Sequence, residues 1–111
     1  PQGDLKLEGN TIDPSHFPFL KQLARSATLC NDAYLRLHEG SWSVEGDPLE
    51  GALLAFAEKV SVQTKKERVE WSRTDVIPFD SNTRYMATLN HDHHHQAFIF
   101  VKGAPERVLE M

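Results

Sequence analysis

The spacing of apolar residues changes along this chain, and no other feature restricts the fold as much. In the first part they recur at three and four residues, as on one face of a helix. From Val69 onward they alternate with polar residues, as on a strand. Leu20, Leu23, Ala24, Ala27 and Cys30 follow Asp13-Pro14-Ser15 and predict a helix over about 17–31. Tyr34, Leu35 and Leu37, then Trp42 and Val44, flank His38-Glu39-Gly40-Ser41 and predict a hairpin. Asp47 is placed to cap the next helix and Pro48 to take its first position, and Leu49, Ala52, Leu53, Phe56 and Val60 trace an apolar stripe along it.

Beyond that helix, Val69, Trp71, Ile77 and Phe79 share one phase, and strands are expected over about 69–79, 84–90 and 96–102. The segment from Gln96 to Lys102 is apolar in both phases, so its strand is expected to be covered on both faces and central in its sheet. Ser81-Asn82-Thr83 and His91 to His95 are connections too short for crossovers, so the class is α+β with an antiparallel sheet flanked by helices. Pro105 opens a last helix that runs to the final residue, Met111, which reads as the end of a fragment excised from a longer protein.

At 111 residues the chain is expected to be one domain, with room for a single core and none for a transport machine. It contains no run of about 18 apolar residues and no signal peptide, so this stretch is expected to be soluble and not membrane-inserted. The net charge of −4 is spread among scattered Lys and Arg, which leaves no basic stripe for nucleic acid. Cys30 is the sole cysteine, so no internal disulfide forms, and a reducing, cytosolic setting with Cys30 as a small buried hydrophobe is expected.

Five residues are candidates for a binding site. Lys102 ends a strand, where its ammonium either meets a phosphate or ring nitrogen or lies along the surface with its head in water. Gly103 beside it either admits a ligand close to the backbone or serves a turn with positive φ. Phe79 precedes polar Asp80-Ser81-Asn82, and its ring either stacks on a base or joins the core. Arg84, across the turn, either adds a cation to that ligand or is a solvated hairpin residue. Glu50 is either a polar contact or the far end of a capping box begun by Asp47. The phosphate-cradling pattern Gly-x-x-x-x-Gly-Lys-Ser/Thr is absent. A metal-binding or sensing module built on His91-Asp92-His93-His94-His95 is the alternative, since imidazole and carboxylate suit zinc, copper or nickel.

Four segments occur together in a familiar order. They are Leu29-Cys30-Asn31-Asp32-Ala33, Glu45 to Leu54 with Gly46-Asp47-Pro48-Leu49-Glu50 at its heart, Ile77-Pro78-Phe79-Asp80-Ser81 running on to Leu89, and Phe100-Val101-Lys102-Gly103-Ala104-Pro105-Glu106. From Leu29 to Met111 the chain resembles the nucleotide-binding domain of P-type cation-transporting ATPases, in the branch that does not move heavy metals. The resemblance implies that ATP binds with Glu50 on the adenine amino group, Phe79 stacked on the ring, Lys102 at the deep end of the pocket and Gly103 beside the nucleotide. Arg84 stands where the family usually has lysine, which keeps the charge but changes its geometry.

The resemblance further implies a cytoplasmic domain, monomeric as a fragment, of an integral membrane ATPase that uses ATP and Mg2+. Its partners would be the phosphorylation and actuator domains of the same parent chain. The Asp-Lys-Thr-Gly-Thr motif whose aspartate is phosphorylated is absent, so no catalytic residue is expected here and the fragment alone is expected not to hydrolyse ATP.

Overall fold

A computed structural model describes residues 6–7, 10–11, 13, 16–60 and 62–110; Pro14, Ser15 and the terminal Met111 of the sequence reading lie outside them. The chain is α+β. Strands β1 (Lys6–Leu7) and β2 (Asn10–Thr11) pair antiparallel ahead of helix α1 (Pro18–Leu29). The expected hairpin follows as β3 (Tyr34–His38) and β4 (Ser41–Glu45), with His38 opposite Ser41. Its two-residue loop holds Glu39 and Gly40 at φ 51° and 78°, the positive values that let a tight turn match the twist of its strands.

Helix α2 (Pro48–Lys59) starts where Asp47 and Pro48 predict, and the Asp47 carboxylate accepts the Leu49 amide at 2.9 Å. Helix α3 (Thr64–Glu70) leads into strands β5 (Ser72–Ile77), β6 (Tyr85–His91) and β7 (Ala97–Gly103), and a short helix α4 (Pro105–Val108) ends the described chain. The three strands form an antiparallel meander in the order β5-β6-β7. A bulge between Arg73 and Asp75 in β5 interrupts its register with β6.

Helices α1 and α2 meet through Ala24, Ala57, Val60 and Val62, with Leu20 and Phe56 packed around them. Small residues at the centre of this contact let the two backbones approach. Gly51 does the same between α2 and the hairpin, because a Cβ there would overlap both Val44 methyl groups. Beneath the helices, Met86, Ala87, Thr88 and Asn90 of β6 are buried, and Trp71 packs against Phe98 with ring centroids 5.5 Å apart. Cys30 is fully buried just past α1 and directs its thiol toward the Met86 carbonyl at 3.6 Å; burial pushes that thiol's pKa up.

The structure departs from the sequence reading at three places. Residues 69–71 do not begin a strand: Val69 belongs to α3 and is 80% exposed. That helix escapes a search for apolar periodicity because polar contacts hold it. Thr64 bonds Glu58 through both its amide and its hydroxyl, and Glu67 pairs with Arg25 at 3.0 Å. Next, β7 lies at the sheet edge, not the centre, with Phe98, Ile99 and Val101 exposed at 52%, 70% and 36%. Neither face of β7 is covered as expected, since Phe98 in one phase and Ile99 and Val101 in the other are exposed. Its edge position follows connectivity, because the middle strand of a three-strand meander is central whatever its composition. Finally, the core face of α2 is Gly51, Leu54 and Ala57, while Leu49 and Ala52 of the expected stripe are exposed; on α1, Leu23 is likewise exposed and Thr28 buried.

Candidate functional site

The first turn of α2, the segment after β5 and the end of β7 converge on a cavity of about 390 Å³. Its apolar wall comes from Leu49, Leu53, Phe79 and Met86. Its polar groups come from Asp32, Asp47, Glu50 and Lys102, and Gly103 and Ala104 complete the lining with backbone. Four of the five residues singled out in the sequence therefore share one cavity: Glu50, Phe79, Lys102 and Gly103.

Glu50 and Lys102 meet across 52 positions of sequence, with Nζ 2.6 Å from Oε2. The pair is half-buried, with side-chain exposures of 28% for the lysine and 17% for the glutamate, so it sits where water screens it incompletely. Oε2 of Glu50 also accepts the Asp32 amide at 3.2 Å. Of the two readings of Glu50, the capping box is not formed: Asp47 caps through Leu49, and the Glu50 carboxylate turns away from the helix start toward Asp32 and Lys102. Lys102 is no surface lysine with its head in water, since its ammonium points inward to that carboxylate.

Phe79 is 61% exposed and contributes to the cavity wall and not to the core. Gly103 lines the cavity with its backbone, is not among the positive-φ glycines, and meets a further steric constraint. A Cβ there would crowd the Arg84 carbonyl and the Cα and Cβ of Tyr85, so only glycine fits opposite β6 at its register partner Tyr85.

Arg84 stands apart from the other four. It is outside the cavity lining, with its guanidinium 2.8 Å from Glu106 and its backbone at φ 62°. Its main chain borders the site, because the Arg84 carbonyl accepts the amide of Ala104 at 3.1 Å. The sequence does not single out Asp32, Asp47, Leu49, Leu53, Met86 and Ala104 as lining residues. Leu49 and Leu53 belong to the apolar stripe expected on α2, and their i, i+4 spacing puts both on the face that forms the cavity wall.

The histidines are arranged differently. Among the described residues no group of three or more His, Cys, Asp or Glu is placed to hold a metal ion. Asp92 accepts the amides of His94 and Gln96 at 3.0 and 2.9 Å, and His91 meets the Thr74 hydroxyl at 2.9 Å. Desolvation raises the Asp92 carboxyl, but the two donated amides and the neighbouring imidazoles together outweigh it and leave its pKa below the ordinary carboxylate value. No helix among the described residues is long and apolar enough to cross a membrane.

Comparison with known proteins shows the family of the chain. Residues 19–111 match the family described as P-type ATPase, cytoplasmic domain N. The chain is 42% identical over 93 residues, 84% of its own length and 10% of the relative's, to cation-transporting ATPase pma1 of Synechocystis sp.. It is 37% identical over 111 residues, 95% of this chain and 10% of the relative, to the sodium/potassium exporting P-type ATPase cta3 of Schizosaccharomyces pombe. To a calcium-transporting ATPase of Bacillus subtilis it is 27% identical over 110 residues, 99% of this chain and 12% of the relative. It thus spans about a tenth of the length of these curated relatives. With that match over most of its length, the chain belongs to the P-type ATPase cytoplasmic domain N family.

Proposed function

We propose that this domain binds ATP by its adenine ring in the Glu50–Lys102 cavity and presents the γ-phosphate to the phosphorylation domain of a P-type cation-transporting ATPase. The observation that carries this reading is the pairing of a carboxylate with an ammonium at 2.6 Å beside the apolar wall of Leu49, Leu53, Phe79 and Met86. Adenine presents an amino donor beside a ring-nitrogen acceptor, so one edge of the base offers a partner to each member of the pair. Glu50 accepts from the amino group, Lys102 donates to a ring nitrogen, and the exposed ring of Phe79 stacks on the face. Guanine places a carbonyl where adenine has its amino group and sets it against the Glu50 carboxylate.

Phosphates have a smaller part at this site. Among the described residues Lys102 is the one cation of the cavity lining and is engaged by Glu50, while Asp32 and Asp47 repel a polyanion. The triphosphate therefore points out of the cavity, toward the domain that carries the phosphorylatable aspartate. There magnesium neutralises charge during in-line transfer, and the present domain contributes by positioning. Arg84 reaches a phosphate only by leaving Glu106, which makes it a secondary contact. In the parent protein, a membrane ATPase that also carries an actuator domain, this positioning supports ATP-driven cation transport.

Calorimetric titration with ATP and GTP tests the reading. ATP is expected to bind more tightly by a factor of about ten or more, since a well-matched base edge discriminates by about 1–3 kcal/mol. Equal affinities would remove the base-edge contacts from the proposal.

A further inference from the structure

The loop between α1 and β3 touches the cavity at both ends of Glu50. Asn31, 2% exposed, donates from Nδ2 to the Glu50 main-chain carbonyl at 2.9 Å, and the next residue, Asp32, donates its amide to the Glu50 carboxylate at 3.2 Å. A side chain from the sheet holds this loop in turn. Arg73 of β5 gives Nη1 to the Asp32 carboxylate at 2.8 Å and Nη2 to the carbonyls of Leu29 and Asn31 at 2.9 and 3.1 Å. One guanidinium thus fixes three acceptors across the turn that carries the Asp32 amide. A planar fork does this and a lysine ammonium does not.

We propose that Arg73 is a positioning residue of the adenine site, acting through the Asn31–Asp32 loop to hold the Glu50 carboxylate where it meets Lys102 and the base. This rests on the adenine-binding reading above. Arg73 does not line that cavity and touches no ligand there; its contribution is to restrict where Glu50 sits before a nucleotide arrives. A purely structural role, as a cap on the last carbonyls of α1, is the competing account, because the Leu29 carbonyl is one of its acceptors.

Arg73→Lys separates the two, with Arg36→Lys on the β3–β4 hairpin, where Arg36 pairs with Glu45 at 2.7 Å, as the control for loss of a surface fork. In the ligand-free protein, Arg73→Lys is expected to shift the Asp32 amide and the Glu50 carboxylate carbon in NMR spectra, and Arg36→Lys neither. With ATP, Arg73→Lys is expected to weaken binding about three- to tenfold, as for residues coupled through one hydrogen-bond network. In a Glu50→Gln background the same change is expected to alter affinity by less than about twofold, because the group it positions is gone.

An equal loss in both backgrounds, or unmoved Asp32 and Glu50 signals, overturns the proposal in favour of the helix cap. If the wild-type chain takes up no ATP, the adenine reading fails on its own account. The ligand-free shifts then still decide whether Arg73 positions Glu50.

Discussion

The two ends of the β6–β7 hairpin carry two concentrations of reactive side chains, built in opposite ways. At the histidine end, four imidazoles and a carboxylate are neighbours in sequence, from His91 to His95, yet they share no centre. His93 and His94 lie against each other with centroids 4.0 Å apart, Asp92 is turned onto backbone amides, and His91 onto Thr74. At the other end, Glu50, Phe79 and Lys102 are far apart in sequence and meet in one cavity. Adjacent residues on a tight turn fan outward, because each backbone step points its side chain in a new direction. Residues delivered by separate elements can be aimed at one point, and the sheet and α2 do this for Glu50 and Lys102.

The comparison breaks if substitutions at the cavity leave nucleotide binding alone, or if those at the histidine loop change it. The largest effect is expected from Phe79→Ala. Loss of a stacked ring, worth about 1–3 kcal/mol, weakens ATP about ten- to hundredfold in calorimetry. The urea midpoint stays in place, because the ring is 61% exposed and supports no core. A fall in stability without loss of binding would assign Phe79 to packing.

Lys102→Met comes next, at about tenfold, since a hydrogen bond to a charged group is worth about 1.5–3 kcal/mol. The double variant with Glu50→Gln is expected to lose less than the sum of the two single changes, because the residues act as a pair 2.6 Å apart. Strict additivity would mean that they do not cooperate on the base.

Much of this contrast was legible in the sequence, for reasons particular to each element. Asp47-Pro48 marked the start of α2, and Glu39-Gly40 the hairpin turn, because both are local devices whose geometry a few residues determine. Glu50, Phe79 and Lys102 were identified through motif order, but no local pattern shows that an α2 side chain faces the end of β7. Helix α3 and the edge position of β7 were misread for one reason: apolar spacing is silent on helices held by Thr64, Glu67 and Arg25, and on which strand a meander puts in the middle. Arg84 was grouped with the site by spacing along the chain, while the fold gives its side chain to Glu106.

Smaller effects sharpen the histidine side. Replacing His93, His94 and His95 together by alanine is expected to change ATP affinity by less than about twofold, as for surface positions remote from the site. The same variant should leave the melting temperature indifferent to a chelator, like the parent chain. A chelator-sensitive melt of the parent chain alone would revive the metal reading.

The smallest effect follows from Asp92. Its folded pKa is depressed, so its contribution to the loop is present above the unfolded carboxylate value and is lost as pH falls through the lower folded one. The His94 and Gln96 amides are expected to shift in NMR spectra below about pH 4, as the carboxylate that accepts them is protonated. Amides of His94 and Gln96 that stay in place through this range in a folded sample would show that the Asp92 carboxylate does not hold the loop.

The most direct test of the central claim is a two-dimensional amide NMR titration of the chain with ATP, without magnesium, followed by GTP. Saturable shifts around Asp32, Glu50, Phe79, Lys102 and Gly103, stronger for ATP and absent from His91 to His95, are the predicted result. Shifts that gather at the histidine loop, or that scatter without saturating in a folded sample, would contradict an adenine site in the Glu50–Lys102 cavity.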